Sequence, residues 1–272
     1  MPVNERQIAE FAADQRWTIP FDTSPRHLAG RGDPRHFTHG LAAAGWTRAS
    51  SDPLSPEFVL RSPDRRTSLR FDPYNSHWWR LRAEPTGNRP GWGASFSKLV
   101  PAEILGSLTD ALHTPAPAKD PDPWQTLAAA GWQLDDQGVS RSPDGRCRVN
   151  PYPLHRQKAA TWQIVAHDHG YDGPDGLDIW SARFDDRAPA HLVNIFVSAL
   201  VDTTPLQRPK GETADYSATT QERSSLTPQQ VVDAHTSRLH ALSAQARAAQ
   251  RRKPATTVAP PPPGRTTTPI RR

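Results

Sequence analysis

The hexapeptide Leu-Ala-Ala-Ala-Gly-Trp occupies residues 41–46 and recurs without change at residues 127–132. Each copy is followed by the tetrapeptide Arg-Ser-Pro-Asp, at residues 61–64 and again at residues 141–144. Matched tags in a fixed order are typical of an internal repeat, and overlooking a repeat leads to a wrong fold. We therefore interpret the chain as two copies of one small α+β unit.

Each copy of the unit is predicted to begin and end with a helix. The first helix of each copy stops at the glycine of its hexapeptide, Gly45 or Gly131, because glycine readily takes the left-handed conformation that ends a helix. The closing helices, with Pro101 and Pro189 predicted at their first helical position, repeat the same five apolar positions at helical spacing. Between the helices, apolar and polar residues alternate in four stretches of each copy, which predicts four strands.

The Ser-Pro-Asp tags lie between alternating stretches and have the composition of hairpin turns. Proline suits the second position of a type I turn, and aspartate suits the third. Gly145 can then take the left-handed position of a bulged hairpin, whereas its counterpart Arg65 must adopt or avoid that conformation. The tags assign structural roles to Gly45, Trp46, Ser62, Pro63, Asp64, Gly131, Trp132, Ser142, Pro143 and Asp144.

These patterns predict an α+β fold of two tandem repeats of helix–four-stranded antiparallel sheet–helix, plus a C-terminal helix and a disordered tail. The two sheets can pair edge to edge or pack about a pseudo-twofold axis. The last helix bears a thin apolar stripe that can dock on the body or pair weakly with another chain. The predicted segments are an N-terminal helix and arm (1–33), a first repeat (34–114), a second repeat (120–202), a polar linker (203–225), a C-terminal helix (226–252) and a disordered, basic, proline-rich tail (253–272).

Composition limits the class of protein. The nine tryptophans all lie at or before residue 180, so the part able to form a core is N-terminal. Residues 240–272 hold seven of the 33 lysines and arginines and no acid, whereas residues 1–239 carry a net charge of −2. A single cysteine excludes a disulfide framework, and no apolar run suits a membrane span or a signal peptide. We therefore expect a cytoplasmic protein that does not enter a membrane.

The Ser-Pro-Asp turns and Ala-Gly-Trp tags together resemble the streptomycete SPDY-domain proteins, a family of unknown function whose members often carry the domain twice. The likeness spans about residues 20–202 and includes Gly32-Asp33-Pro34-Arg35-His36. The fourth letter of the family motif is tyrosine, but Arg65 and Gly145 stand there, so no role of that tyrosine carries over. The resemblance implies an actinobacterial origin and brings no activity, ligand or catalytic residue.

Two groups of basic residues are candidates for binding nucleic acid. Guanidiniums beside an exposed aromatic ring can hold phosphates and stack on bases, and a basic disordered tail binds through counterion release. A solvated sheet face paired with Glu57, Asp72 and Glu84, and a solubilising tail, explain the same residues without a ligand. The candidates are Arg48, Arg61, Arg70, Arg80, Arg82 and Trp78 on the outward face of the first sheet, and Arg251, Arg252 and Lys253 at the tail.

Signals of catalysis or metal binding are weak. His167-Asp168-His169 places two imidazoles on one side of a strand end, near Asp172, Asp175 and Asp178. Those acids lie in turn sequence interrupted by glycine and proline, and the chain has no nucleophile elbow or phosphate loop. We therefore predict no metal, no cofactor and no catalytic residue.

The leading hypothesis is a non-catalytic binding or adaptor protein that recognises a protein or nucleic acid through its sheet faces or the groove between the copies. One alternative is a nucleic-acid-binding protein that uses the arginine face and the basic tail. Another is an enzyme of unknown class. Weak self-association through the C-terminal helix is compatible with each of these hypotheses.

Overall fold

The computed structural model describes residues 3–49, 55–87, 89–153, 160–168, 176–215 and 217–252. Over these residues the chain is an α+β protein with six α-helices and two antiparallel sheets, one of ten strands and one of three. None of the described helices has both the length and the apolar character needed to cross a membrane. The helices are α1 Glu5–Arg16, α2 Arg35–Ala43, α3 Ala102–Ala111, α4 Pro123–Ala129, α5 Ala190–Val201 and α6 Pro228–Arg252.

In chain order the strands are β1 Phe21–Ser24, β2 Thr47–Ala49, β3 Phe58–Arg61, β4 Thr67–Phe71, β5 Trp79–Ala83, β6 Trp92–Phe96, β7 Gln133–Leu134, β8 Ser140–Arg141, β9 Cys147–Pro153, β10 Ala160–His167, β11 Asp178–Phe184, β12 Leu206–Arg208 and β13 Thr220–Arg223. The large sheet has the order β2-β3-β4-β5-β6-β11-β10-β9-β8-β7. Each half of this sheet is therefore an antiparallel meander.

The two meanders are joined edge to edge by their last strands. Ala94, Ser95 and Phe96 of β6 lie opposite Phe184, Arg183 and Ala182 of β11. Each half contributes five strands to the large sheet, where the sequence predicts four. The additional strands, β2 and β7, have only three and two residues, too few for an alternation of polar and apolar residues to be visible.

Helices α2, α3, α5 and α4 contact one another in that order and cover one face of the large sheet. One hydrophobic core lies beneath them and includes residues of both halves, among them Phe37 and Trp46 of the first and Trp180 and Phe196 of the second. A large apolar side chain that is fully buried contributes roughly 1.5–3 kcal/mol to folding. The two halves therefore stabilise each other through a shared interior.

The small sheet was not predicted from the sequence. It places β1 between β12 and β13, so that the predicted arm and the predicted polar linker pair with each other. These strands are short, and they carry polar residues such as Asp22 and Gln207 at positions that face each other. Because their partners are far apart in the chain, local periodicity does not reveal the pairing.

Helix α6 docks on the body, one of the two alternatives that the sequence left open. Leu239 and Leu242 pack against Ala43 of α2, with Val3 and Ile8 beside them. The Arg238 guanidinium donates two hydrogen bonds of 2.7 Å to the Asp110 carboxylate. These contacts occupy the apolar stripe of α6. Self-association through this stripe stays an untested prediction.

Candidate binding groove

An open groove of about 900 Å³ lies on the face of the large sheet opposite the helix layer. It crosses β5, β6, β11 and β10, and so spans the junction between the two halves. The end of the hairpin that joins β5 to β6 forms one flank, through Pro85 and Pro90. Neither half alone provides all four strands of this surface.

Strand register explains which side chains line the groove. Arg80 lies opposite Ser95, Ser95 opposite Arg183, and Arg183 opposite Gln163. Residues directly opposite in antiparallel strands project from the same face. These four side chains therefore form one polar row across the junction. In the neighbouring row Arg82 lies opposite Gly93, whose lack of a side chain keeps the centre of the groove low.

The groove is rich in positive charge. Arg80, Arg82, Arg183 and Arg187 line it together. Arg82 Nε lies 3.8 Å from Glu84 Oε1, and within the described part of the chain the other three guanidiniums form no ion pair. Burial lowers the pKa of the neighbouring His77, and the charges of Arg183 and Arg80 lower it further. The imidazole thus experiences the positive field of the two halves together.

The carboxylate of Asp185 lies in the groove without pairing with a guanidinium. Its Oδ2 accepts a hydrogen bond of 2.5 Å from the Gly93 amide, and its Oδ1 accepts one of 3.1 Å from the Arg187 amide. Burial raises the pKa of this carboxyl group. Asp185 therefore ties the β6–β11 junction together through the backbone and leaves the arginines available to an anionic ligand.

The predicted arginine face is only partly one surface. Arg80 and Arg82 line the groove, and Arg70 lies opposite Arg80 but forms an ion pair with Glu57. Arg61 is exposed on β3, beyond the residues that line the groove.

Two predicted members of that face lie elsewhere. Arg48 is in register with Leu60, on the face that carries the core, and its guanidinium lies 5.4 Å from the centre of the Phe58 ring. Trp78 packs edge-on against Phe71 in a second, apolar pocket on the helix side, with Lys98 Nζ 4.9 Å from its ring. Their placement on the outward face was wrong: β2 was not predicted as a strand, and the chain turns before β5.

The basic residues at the end of α6 are remote from the groove. Arg251 is exposed in the last turn of α6, and Arg252 ends the helix. Because α6 packs on α2, which belongs to the helix layer, this turn lies on the helix side of the sheet. Lys253 and the predicted tail lie outside the described residues. The arginine face and the start of the tail therefore do not form one continuous surface.

Sequence reasoning missed the contribution of the second half to the groove. Arg183 sits between the buried Ala182 and Phe184, so the alternation already visible in β11 places it on the outward face. Arg187 follows β11 and belongs to no alternating stretch. The position of Arg183 on the outward face could have been predicted from the sequence, whereas the position of Arg187 in the groove is visible only in the fold.

The Ser-Pro-Asp tags form the same network of hydrogen bonds in both halves. Ser62 Oγ donates to Asp64 Oδ1 (2.7 Å) and accepts from the Thr67 amide (2.9 Å). Ser142 Oγ likewise donates to Asp144 Oδ1 (2.5 Å) and accepts from the Cys147 amide (2.9 Å). The tags therefore close hairpin turns, which is the structural role that their sequence predicts.

A histidine joins the second turn, but the arrangement is not that of a catalytic triad. His27 Nε2 lies 2.8 Å from Asp144 Oδ2. Burial opposes ionisation of Asp144, yet the hydrogen bond with His27 and the pairing with its charge hold the pKa of this carboxyl group well below its usual range. A nucleophilic serine must give its proton to an imidazole, whereas Ser142 donates to the carboxylate. The network therefore stabilises the turn and does not activate the hydroxyl.

The region considered for metal binding is only partly described. His167 is fully buried at the end of β10, opposite Asp178. His169, Asp172 and Asp175 lie outside the described residues. Among the residues that the structure describes, no group of His, Cys, Asp and Glu side chains could hold a metal ion. Burial raises the pKa of the Cys147 thiol, which disfavours a reactive thiolate.

Comparison with known proteins bears on the two-half architecture. The family model of the SPDY domain, a domain of unknown function (DUF317), matches residues 61–118 and 141–206. Each match begins at the arginine of an Arg-Ser-Pro-Asp tag and ends beyond the closing helix of its half. No curated protein and no solved structure matches the chain. The resemblance seen in the tags is thus confirmed: this chain carries the SPDY domain of unknown function, in two segments consistent with two copies.

Proposed function

We propose that the protein is a non-catalytic binding or adaptor protein whose recognition surface is the groove across the two halves. The observation that supports this most directly is the convergence of Arg80 and Arg82 from one half with Arg183 and Arg187 from the other. Guanidiniums, with several donors each, are suited to anionic partners. A protein with acidic side chains and a nucleic acid are both candidate partners.

We further propose that the halves are two repeats of one unit, with the boundaries 34–114 and 120–202. The identical hydrogen bonds within the two Ser-Pro-Asp turns support this proposal. So does the mirrored strand order about the β6–β11 junction. In this view duplication created the groove, because each copy supplies two of the four residues in its polar row.

The proposal of a non-catalytic role rests on how the described polar groups are used. Asp144, Ser142 and His27 are engaged in closing a turn. Asp185 is engaged with backbone amides. The enzyme hypothesis therefore has less support than the binding hypothesis.

Affinity purification of the full chain from its native host tests the proposal. The wild type is compared with the R80Q/R183Q variant, and co-purifying proteins and nucleic acids are identified by mass spectrometry and sequencing. A matched control, R16Q/R223Q, removes the same charge from exposed positions outside the groove. We expect a partner that is retained by the wild type and the control and lost from R80Q/R183Q. Equal retention by all three proteins would refute the groove as the recognition surface.

A further inference from the structure

We propose that the groove binds single-stranded nucleic acid through its phosphates, an inference that rests on the proposed function and specifies its partner. The groove offers guanidiniums at spacings set by the sheet. Arg80 and Arg183 are two strands apart, about 9.5 Å, and Arg80 and Arg82 are two residues apart along one strand, about 6.5 Å. Long side chains on this lattice can reach neighbouring phosphates of an extended strand.

The position of the groove within the sheet disfavours an extended peptide. Peptides that bind sheets commonly add a strand at an exposed edge, where backbone amides and carbonyls are free. The four strands beneath the groove are interior: β4 and β9 flank them, and each pairs on both sides. Recognition must therefore come from side chains, and the planar fork of arginine matches phosphate oxygens in pairs.

The other lining groups suit a nucleotide chain. Ser95, Thr161 and Gln163 supply hydroxyl and amide groups beside the arginines. Such groups hydrogen-bond phosphates, sugars and base edges. Pro85 and Pro90 form an apolar flank against which a base or sugar can pack. A volume of about 900 Å³ holds a few nucleotides, so a single strand fits the groove better than a duplex.

The charge arrangement predicts a moderate dependence on salt. Arg80, Arg183 and Arg187 form no ion pair within the described chain, so each can replace a counterion of the ligand. Each phosphate neutralised on a single strand contributes about −0.7 to the slope of log affinity against log salt concentration. Three such contacts predict a slope of about −2 from the groove.

Fluorescence anisotropy on the full chain tests the inference. The probe is a dye-labelled single-stranded RNA or DNA of about 12 nucleotides, titrated at salt concentrations between about 50 and 200 mM. We expect R80Q/R183Q to bind at least about tenfold more weakly, and its salt slope to be smaller by about 1.4. R16Q/R223Q should match the wild type. When the tail substitutions R251Q/R252Q/K253Q are added to the wild type and to R80Q/R183Q, the tenfold difference between those two proteins should remain.

Several results would overturn the inference. One is equal binding by the wild type and R80Q/R183Q, and another is an equal loss in R16Q/R223Q. Tighter binding of a duplex, or binding of AMP as tight as that of the strand, would exclude a single-stranded ligand. If no oligonucleotide binds but a protein partner is retained by the wild type and lost from R80Q/R183Q, the inference fails and the binding function stands. Thermal unfolding of R80Q/R183Q close to that of the wild type confirms that the variant is folded.

Discussion

The two Ser-Pro-Asp turns have the same internal hydrogen bonds but different tertiary neighbours. Both close a hairpin through a serine hydroxyl that bonds an aspartate. In the second half the N-terminal arm reaches the turn, and His27 pairs with Asp144. Near the first turn lies His113, whose pKa is lowered by burial while the charge of Asp64 opposes that change. Local sequence therefore determines the shape of the turn, and tertiary neighbours determine its ionisation.

The closing helices of the two halves show a larger difference at one equivalent position. Glu103 and His191 are each the second residue of their helix, after Pro101-Ala102 and Pro189-Ala190. Glu103 accepts two hydrogen bonds of 2.7 Å from Arg208, whose side chain is 1% exposed. His191 Nδ1 lies 3.9 Å from Asp120, a mostly exposed acid. The first half thus anchors the small sheet through a buried ion pair, and the second half has a surface pair at that position.

The largest expected effect comes from a substitution that breaks this buried ion pair. Glu103→Gln leaves the Arg208 guanidinium buried without a counter-charge, and removing one partner of such a pair costs about 3–5 kcal/mol. We expect the free energy of unfolding in urea at neutral pH to fall by this amount. His191→Gln, at the equivalent position, should change it by less than about 0.5 kcal/mol. Similar losses in both variants would show that the position, and not the ion pair, matters.

The same pair predicts a loss of stability in acid. Burial opposes ionisation of Glu103, but the charge of Arg208 prevails and lowers the pKa of this carboxyl group to about 2. Because the folded pKa lies below the unfolded value, the contribution is fully present above the unfolded pKa. It is lost as the pH falls toward 2.

The second prediction concerns helix α6, which covers α2 of the first half. His39 Nδ1 and His235 Nε2 lie 3.2 Å apart in a buried cluster. Burial, together with the charges of His36, His39 and Arg238, lowers the pKa of His235 to about 3, and the charge of Asp33 opposes this change. There is therefore a pH range in which His235 is already protonated in the unfolded chain but still neutral in the folded protein.

Stability should accordingly fall on acidification, because protons bind the unfolded state first. From about pH 7.5 to pH 5 we expect His235 alone to reduce the free energy of unfolding by about 2 kcal/mol. Urea unfolding at each pH measures the loss. His235→Leu should reduce the measured pH dependence by about this amount, and His240→Leu, at an exposed position of the same helix, should leave it unchanged. A His235→Leu variant with unchanged pH dependence would contradict the assignment.

These contrasts show which parts of the molecule the sequence predicts. The helices that stop just before Gly45 and Gly131 and the turns at Ser62 and Ser142 are set by residues a few positions apart, and the structure contains them. The β6–β11 junction joins residues such as Ser95 and Arg183, which are distant in the chain, and no local period encodes that pairing.

The same distinction applies to the groove. Arg80 and Arg82 were found because β5 alternates clearly, and Arg183 could have been found by the same reasoning in β11. Their convergence depends on which strand edges meet. Arg48 and Trp78 were misplaced because a three-residue strand and a bend in the chain reverse the direction of a side chain. Side-chain direction is predictable within a long strand, but the meeting of two strands is not.

The smallest expected effect sharpens the comparison of the turns themselves. Arg65 adopts the left-handed conformation (φ 61°) that Gly145 takes in the second turn (φ 69°), and the amide of each residue donates a 2.8 Å hydrogen bond to its serine carbonyl. The left-handed conformation costs a non-glycine residue about 1–2 kcal/mol, and glycine loses about 0.5–1 kcal/mol more chain entropy on folding. Arg65→Gly should therefore raise the free energy of unfolding by up to about 1 kcal/mol, and Gly145→Ala should lower it by about 1 kcal/mol. Urea unfolding of both variants checks the pair, and a shift of the same sign in both would contradict the equivalence of the two turns.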